Sequence, residues 1–343
     1  MDKRDGQIDA VRAAAISMVV LSHIFGAMGL GFNPVWNWFA PFMVSLFFLV
    51  SGYLAFKREP WKHYTFSAYV KKKVRSLLVP YVCFSLTTMV ILVGVTCLTD
   101  GPVRENLGYL VREFVTCLGT GTLWFLPVMF LVDILIFWLM GKDRLIQLAA
   151  FLVSVLIVCT NFLITGFYRD YWVFDYLIVL SRSAAAIGPV LLGYYVLPRL
   201  NREKSRIVSA VMAAGSLAVT ILISRFIIVD FRTLQFGASP LLFYVDGVAA
   251  CMFLMEGYRL LAGSRPCPIL SYIGRNTLVI MATHSEWLLL NIIQIGLAGV
   301  LGPCLSMGIR YYMECGIIFA LLMLMEYGVV EGISFLSQFS FHG

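Results

Sequence analysis

The sequence predicts an all-α bundle of about ten membrane-spanning helices, and three observations support this fold class. The 343 residues are 60% hydrophobic and only 13% charged, with a mean hydropathy of +0.86. Soluble proteins are typically only about 45–50% apolar. Ten hydrophobic segments are each long enough to cross a hydrocarbon core of roughly 30 Å. Basic residues concentrate on alternate connections between these segments, as expected of a multi-pass membrane protein.

The ten segments follow one another without an internal repeat or a soluble insertion. They lie at approximately residues 10–30, 37–56, 76–97, 123–140, 145–165, 178–197, 207–229, 239–261, 276–298 and 306–329. We therefore expect a single integral membrane domain over residues 1–343.

The lysines and arginines divide unequally between the two sides of such a bundle. Eighteen fall on the side of the N-terminus: Lys3, Arg4, Lys57, Arg58, Lys62, Lys71, Lys72, Lys73, Arg75, Lys142, Arg144, Arg199, Arg202, Lys204, Arg206, Arg259, Arg265 and Arg275. Seven fall on the other side: Arg104, Arg112, Arg169, Arg182, Arg225, Arg232 and Arg310. Because positive charge favours the cytoplasmic side, both termini are predicted in the cytoplasm.

Charge and cysteine content narrow the function classes. A net charge of +7 would suggest nucleic-acid binding in a soluble domain, but membrane topology accounts for it here, so we expect no nucleic-acid partner. The eight cysteines contain no CxxC pair and no Cys/His metal spacing, so no metal site is expected. Cys97 and Cys117 are predicted on the same side of the membrane, and the sequence leaves a disulfide between them open.

The first hydrophobic segment contains two ionisable residues and organises the functional hypothesis. In DAVRAAAISMVVLSHIFGAMG, which starts at Asp9, Arg12 and His23 are separated by eleven residues. On an α-helix that spacing is three turns plus roughly 20°, so the two share one face about 16 Å apart. Charged groups inside a membrane usually face a cavity or a partner, which favours a functional groove. Alternatively, Arg12 reaches the interface and pairs with Asp9, while His23 bonds a neighbouring helix.

The connection between residues 99 and 121 predicts an amphipathic helix at the outer membrane surface. Its apolar residues recur at helical spacing: Leu107, Leu110, Val111, Phe114, Val115 and Leu118. The pattern does not decide between a helix that floats on lipid and a lid packed over the bundle.

Small and basic residues mark the second and third segments. Ser51 and Gly52 in FFLVSGYL favour close helix packing. The run of lysines from 71 to 73 is typical of a cytoplasmic anchor. Arg75, in contrast, lies within the start of the third helix near the level of Arg12, where two arginines could hold a phosphorylated ligand bidentately.

The fourth and ninth segments carry further polar residues. Trp124 suits the outer interface, and Asp133 needs a partner. In YIGRNTLVIMATHSEW, Thr277, His284 and Asn291 recur every seven residues and are predicted to share one inward face, either as structural hydrogen-bonding groups or as part of a site. The sequence leaves open whether Glu286 is a buried partner or faces an outer vestibule. It does not pair the acids Asp246, Glu256, Glu326 and Glu331.

Five elements in order resemble acyltransferase family 3, a family of integral membrane O-acyltransferases. They are Asp9, Arg12 and His23; FFLVSGYL; the basic run ending RSLLVPY; LWFLP; and YIGRNTL followed by His284. The resemblance covers essentially the whole chain and fits the form without an attached extracytoplasmic domain.

The resemblance implies a fold, a reaction and a set of site residues. Its fold is a bundle of about ten helices in the cell's inner (plasma) membrane. Its reaction moves an acetyl or other short acyl group from cytoplasmic acyl-CoA to a hydroxyl of a surface or envelope glycan or glycolipid. Acyl-CoA is then a donor substrate, and no permanently bound cofactor is expected. By residue type and position, His23 is the expected general base, and Arg12 and Arg75 are the expected donor-binding residues. Five further residues are expected to bind substrate or support the site: Asp9, Trp124, Asn276, Thr277 and His284.

Other functions stay open at the level of sequence. A transient acyl-histidine at His23 is an alternative mechanism. The sequence does not identify the oxyanion donors; Ser22, Asn276 and Thr277 are candidates. The rival functions are a proton-coupled secondary transporter and a glycan or lipid exporter, although the sequence shows no matching pair of interrupted helices.

Overall fold

The computed structural model describes residues 5–29, 33–165, 172–237, 239–262, 267–301 and 308–339. The helices in these ranges are α1 Gly6–Ala27, α2 Pro34–Met43, α3 Ser45–Arg58, α4 Pro60–His63, α5 Phe66–Lys73, α6 Val79–Leu98, α7 Val103–Val115, α8 Phe125–Leu139, α9 Arg144–Thr165, α10 Trp172–Tyr195, α11 Leu197–Leu200, α12 Arg206–Ile223, α13 Pro240–Ala262, α14 Pro268–Arg275, α15 Thr277–Thr283, α16 Leu289–Leu301 and α17 Ile309–Phe339. A π-helical turn, Val74–Leu78, joins α5 to α6.

The all-α membrane bundle predicted from sequence is confirmed. Within the described residues, seven helical runs are long and apolar enough to cross a membrane. They are Gly6–Ala27, Pro34–Arg58, Phe66–Leu98, Trp172–Leu200, Arg206–Ile223, Pro240–Leu261 and Ile309–Phe335. Two shorter apolar stretches, Phe125–Leu139 and Arg144–Thr160, occupy the predicted fourth and fifth segments. The remaining predicted segment, 276–298, is divided between α15 and α16.

Helix α1 lies at the centre of the bundle. Val11, Ile16, Val20 and Ile24 are each 0% exposed, and α1 contacts α2, α3 and α13 to α17. Its N-terminus is capped by Asp5, whose side chain accepts a hydrogen bond from the Gln7 amide at 3.1 Å. A helix enclosed in this way holds its side chains at fixed positions along the bundle.

Two glycines allow backbones to approach closely around α1 and α3. A Cβ atom added at Gly52 would lie 1.9 Å from the Val190 carbonyl oxygen, so α3 and α10 pack closely at this glycine. The predicted role of Gly52 is confirmed. A Cβ atom at Gly274 would lie 2.1 Å from the Asp9 carbonyl oxygen, which holds α14 against the start of α1.

The third membrane segment passes through the π-helical turn just before Pro80. Proline has no amide hydrogen and its ring crowds the preceding turn of a helix. An added residue in the turn, as in a π-bulge, relieves that crowding without ending the helix. Arg75 lies within this turn and is exposed.

The ninth segment is not the continuous helix that the sequence predicts. Helix α15 ends at Thr283, and Leu288 adopts a left-handed backbone with φ +62° before α16 begins. Asn291 is exposed on α16, so the predicted shared face of Thr277, His284 and Asn291 is wrong. The break follows the burial of Glu286, whose carboxylate accepts a hydrogen bond from the Thr122 amide at 3.1 Å.

Helix α7 packs over the end of the bundle. The Tyr81 hydroxyl donates to the Phe114 carbonyl at 2.9 Å, and Arg112 forms a bidentate pair with the buried Asp175 at 2.6 and 2.9 Å. Of the two arrangements left open by the sequence, the lid therefore fits the contacts. Leu107 and Val115 stay 40% and 48% exposed on its free face.

Most acids that the sequence could not pair have partners. Lys204 and Arg259 bind Glu256, the Thr283 hydroxyl bonds Glu326, and the Tyr272 hydroxyl donates to Glu331. Asp246 is buried, and its carboxylate oxygens have no hydrogen-bond partner among the described residues. The Cys97 and Cys117 thiols, which the sequence left open, are both free.

Candidate active site

Two imidazoles meet inside the bundle at the far end of α1 from Arg12. The His23 Nδ1 and His284 Nε2 atoms lie 3.1 Å apart, and the two rings stack with centroids 4.9 Å apart. His284 is 0% exposed, whereas His23 is partly exposed. The break after α15 places His284 at the helix end, where its ring turns toward α1.

The hydrogen bonds assign the protons of this pair. His284 Nδ1 lies 2.7 Å from the Ile280 carbonyl oxygen, which only accepts, so Nδ1 carries the hydrogen. In a neutral imidazole, His284 Nε2 is then the acceptor and His23 Nδ1 is the donor. This leaves a lone pair on His23 Nε2. The pair therefore presents one oriented nitrogen able to take a proton.

A cavity of about 540 Å³ lies beside the Arg12 end of α1, and neither His23 nor His284 is among its described lining residues. Side chains of α1, α3, α8 and α15 form its walls, and the segment from α4 to α5 forms its mouth. One end is basic, with lining residues Arg12, Arg58, His63, Lys72 and Lys73. The other end is apolar, with lining residues Phe47, Phe125, Leu126 and Met281. Met281 precedes His284 by three residues, which is about 4.5 Å along a helix.

Aromatic rings hold the lysines at the cavity mouth. Lys72 donates to the Tyr64 hydroxyl at 2.9 Å and lies 4.4 Å from the centre of that ring. This hydrogen bond lowers the pKa of Tyr64. Lys73 lies 5.4 Å from the centre of the Tyr69 ring. The mouth therefore combines cations with aromatic faces.

Asp133 has the partner that the sequence required. Lys73 donates to one carboxylate oxygen at 2.5 Å, and the Ser51 hydroxyl donates to the other at 3.1 Å. These bonds connect α3, α5 and α8 around the cavity. Among the described lining residues Asp133 is the one acid, so the mouth retains an excess of positive charge.

A family model described as an acyltransferase domain matches residues 5–331, nearly the whole chain. The chain belongs to acyltransferase family 3. No curated relative and no solved structure matches it significantly. The protein is therefore a membrane acyltransferase.

The structure separates the two arginines predicted to bind the donor of this acyltransferase. Arg12 lines the cavity. Arg75 is exposed in the π-helical turn and is not among the lining residues. Lys72 and Lys73, for which the sequence indicated only an anchor, line the cavity with Arg12 instead. The nearby Tyr64 and Tyr69 in the sequence could have indicated that these lysines are more than an anchor, because aromatic rings beside lysines favour cation–π pairs.

Three of the predicted supporting residues lie near the Arg12 end of the acyltransferase. Asp9 is buried in the first turn of α1. Asn276 donates to the Tyr272 carbonyl at 2.9 Å and ends α14. Thr277 lines the cavity. Because His284 follows Thr277 by seven residues, about 10 Å along a helix, Asn276 and Thr277 lie away from the histidine pair, and Asn276 is not among the described cavity-lining residues.

The other two predicted supporting residues lie at the His23 end. His284 contacts His23 directly. Trp124 was predicted at the lipid interface but is only 6% exposed; it stacks on Phe231 at 6.0 Å, and the Arg182 guanidinium lies 5.1 Å from its ring centre. The Ser22 hydroxyl bonds the Val19 carbonyl within α1 at 2.8 Å. In the described ranges no group of three or more metal-binding side chains clusters.

Proposed function

We propose that this acyltransferase moves an acetyl or other short acyl group from cytoplasmic acyl-CoA to a hydroxyl of an envelope or surface glycan. The observation that supports the proposal is the cavity with a basic mouth and an apolar end, whose lining includes Met281, three residues before the His284 that contacts His23. Acyl-CoA has the same polarity, with a phosphorylated head at one end and a thioester at the other.

The basic end of the cavity would hold the donor's phosphates. Arg12, Arg58 and Lys72 supply charge, and an arginine fork matches phosphate geometry. Tyr64 offers an aromatic face to the nucleotide base. The distance of about 16 Å between Arg12 and His23 along α1 is comparable with the length of the donor's extended arm. Arg75 has no part in this arrangement because it does not line the cavity.

His23 would act as the general base. The acceptor hydroxyl gives its proton to His23 Nε2 as its oxygen attacks the thioester carbonyl carbon. His284 Nε2, accepting from His23 Nδ1, orients the ring and stabilises the imidazolium that forms. When the carbon–sulfur bond breaks, the proton returns from His23 Nε2 to the departing sulfur. The products are the acylated hydroxyl and free CoA.

The reaction requires the two substrates to approach from opposite sides. The excess of lysine and arginine on the N-terminal side of the bundle supports an N-terminus in the cytoplasm, with the bundle in the cell's inner (plasma) membrane. The cavity then opens to cytoplasmic acyl-CoA, and the acceptor meets His23 from the outer side. Cys267 would be cytoplasmic, so a membrane-impermeant thiol reagent added to intact cells should not label it. Labelling from outside would reverse the orientation.

Turnover of labelled acetyl-CoA by the purified protein tests the proposal. We expect thioester cleavage in detergent or nanodiscs, with label transferred to added saccharides. His23→Ala should abolish both, while Ser22→Ala, the neighbouring substitution on α1, should keep most of the rate. No cleavage of acetyl-CoA or of longer short-chain acyl-CoA by the folded parent would reject acyl-CoA as the donor.

A further inference from the structure

The turn between α12 and α13 carries an exposed arginine, Arg232, on a backbone held by several hydrogen bonds. Asp230 and Gln235 exchange two backbone hydrogen bonds of 2.8 and 2.9 Å. The Asp230 side chain accepts from the Arg232 amide at 2.9 Å, which fixes the backbone from which the guanidinium projects. Phe231 and Leu234 on either side are buried at 3% and 2% exposure. Arg232 itself is exposed.

A second arginine holds this turn in place. Arg182, 6% exposed, donates to the Arg232 carbonyl at 2.8 Å and to the Leu118 carbonyl at 3.2 Å, with its guanidinium over Trp124. The Arg182 and Arg232 side chains are close enough to repel each other electrostatically. No ion pair or side-chain hydrogen bond of Arg232 occurs among the described residues. Two neighbouring cations of which one is unpaired form a site that an anion would stabilise.

A series of contacts connects the Arg232 turn to the histidine pair. Arg182 donates to the Arg232 and Leu118 carbonyls. The Thr122 amide donates to Glu286, and His284, two residues before Glu286, contacts His23.

The Arg232 charge also interacts electrostatically with His23, Glu113 and Glu286. Both carboxylates are buried, at 8% and 7% exposure, and burial raises the pKa of Glu113 despite the nearby arginines. Of Arg232, Glu113 and Glu286, Arg232 is therefore the charged side chain that is exposed. Tyr109, 53% exposed and next to Glu113, adds an aromatic face of the kind that packs against a sugar ring.

We propose that the acceptor carries an anionic oxygen group, a carboxylate or a phosphate, and that Arg232 binds this group while a hydroxyl of the same molecule reaches His23. The inference rests on the proposed acyl transfer and adds the acceptor's chemical class. Arg232 is then a specificity-determining residue. The rigid turn matters because it fixes the backbone position from which the guanidinium fork, which matches oxyanion geometry, reaches the acceptor.

Matched charged and neutral acceptors test this inference. One pair is octyl glucuronide and its amide; the other is decyl phosphate-linked glucose and its methyl phosphotriester. Each is acylated from labelled acetyl-CoA by the full-length protein in nanodiscs, and kcat/KM is measured for each. We expect the parent to prefer at least one anionic member over its neutral match by about tenfold or more. The pair that shows the preference identifies the anion as a sugar carboxylate or a phosphate.

The variants assign that preference to Arg232. Arg232→Gln should reduce the ratio of anionic to neutral kcat/KM by about tenfold, the size expected for lost charge-assisted hydrogen bonds, and Arg232→Lys should keep part of it. Arg225→Gln, an exposed arginine in the same connection, should leave the ratio unchanged. Melting temperatures confirm that all variants fold.

Three results would overturn the inference. They are a parent without preference, an Arg232→Gln variant with the parent's ratio, and transfer to none of the four acceptors while acetyl-CoA is still hydrolysed. Absence of any acetyl-CoA turnover is a different result, because it rejects the proposed function on which the inference depends.

Discussion

The two ends of helix α1 lie in different surroundings. At the Arg12 end, the cavity of about 540 Å³ is lined by cations on several helices, and its mouth includes the exposed Arg58 and His63. At the His23 end, the main polar contact is one hydrogen bond between buried or partly buried rings, with 3.1 Å between His23 Nδ1 and His284 Nε2. Binding a long charged donor tolerates adjustable contacts, whereas proton transfer depends on one fixed geometry. Substitutions at the two ends should therefore fail in different ways, and the predictions below follow from that difference.

The largest effect is expected at the His23 end. His23→Ala should reduce acyl transfer by about 10²–10⁴-fold, because the proton acceptor is lost. Binding of acyl-CoA, measured by calorimetry on the same preparation, should persist because the cavity does not include His23. Loss of donor binding together with rate would show that the two ends are one site.

The next effect is expected for the partner imidazole. His284→Ala should cost about a hundredfold in kcat, since a misplaced base loses rate steeply, with little change in the acyl-CoA KM. His284→Gln keeps an oxygen able to accept from His23 Nδ1 and should recover part of that rate. If alanine and glutamine variants are equally slow, or if only the melting temperature changes, His284 is a packing residue.

A smaller effect of another kind is expected at the Arg12 end. Arg12→Gln should raise the acyl-CoA KM by about tenfold or more and change kcat less, because hydrogen bonds to a charged group are removed. Arg75→Gln is the matched control and should change KM by less than about twofold, since Arg75 lies outside the cavity. Equal effects of the two substitutions would support the pairing predicted from sequence over the one in the structure.

The smallest effect should have the opposite sign. Asp133→Asn keeps an oxygen that can accept from Lys73 and an amide that can donate to the Ser51 hydroxyl oxygen, but it removes the negative charge of the described cavity lining. The acyl-CoA KM should fall by about twofold, a modest change because the lining cations are partly or fully exposed and therefore screened. Steady-state kinetics at two ionic strengths measures it. An increase in KM would mean that Asp133 positions the lysine and that charge is secondary.

Local patterns in the sequence were sufficient to predict the fold class and to predict that Arg12 and His23 share a face of α1. The hydrophobic segments predicted the helices because a membrane span needs a long apolar stretch whatever its neighbours are. The spacing of Arg12 and His23 was informative because helical periodicity alone decides which residues share a face. Gly52 could be interpreted for the same reason, since a residue without a side chain favours close packing.

The break after α15 could not be predicted in this way. The stretch THSEWLL contains neither proline nor glycine, so no local signal ends the helix. Glu286 is held by the Thr122 amide from a distant loop, and this contact accompanies the turn that brings His284 against His23. Long-range hydrogen bonds of this kind outweigh local helix preference, and their partners are 164 residues apart in the chain.

The sequence by itself determined that this chain is a helical membrane protein, which helix carries the ionisable groups, and how Arg12 and His23 are spaced. Only the tertiary structure decided which residues join them: Lys72 and Lys73 rather than Arg75 at the cavity, and His284 beside His23. The physical reason is that spacing along one helix is fixed by backbone geometry, whereas the partner of a buried polar group is selected by the packing of helices that are remote in sequence.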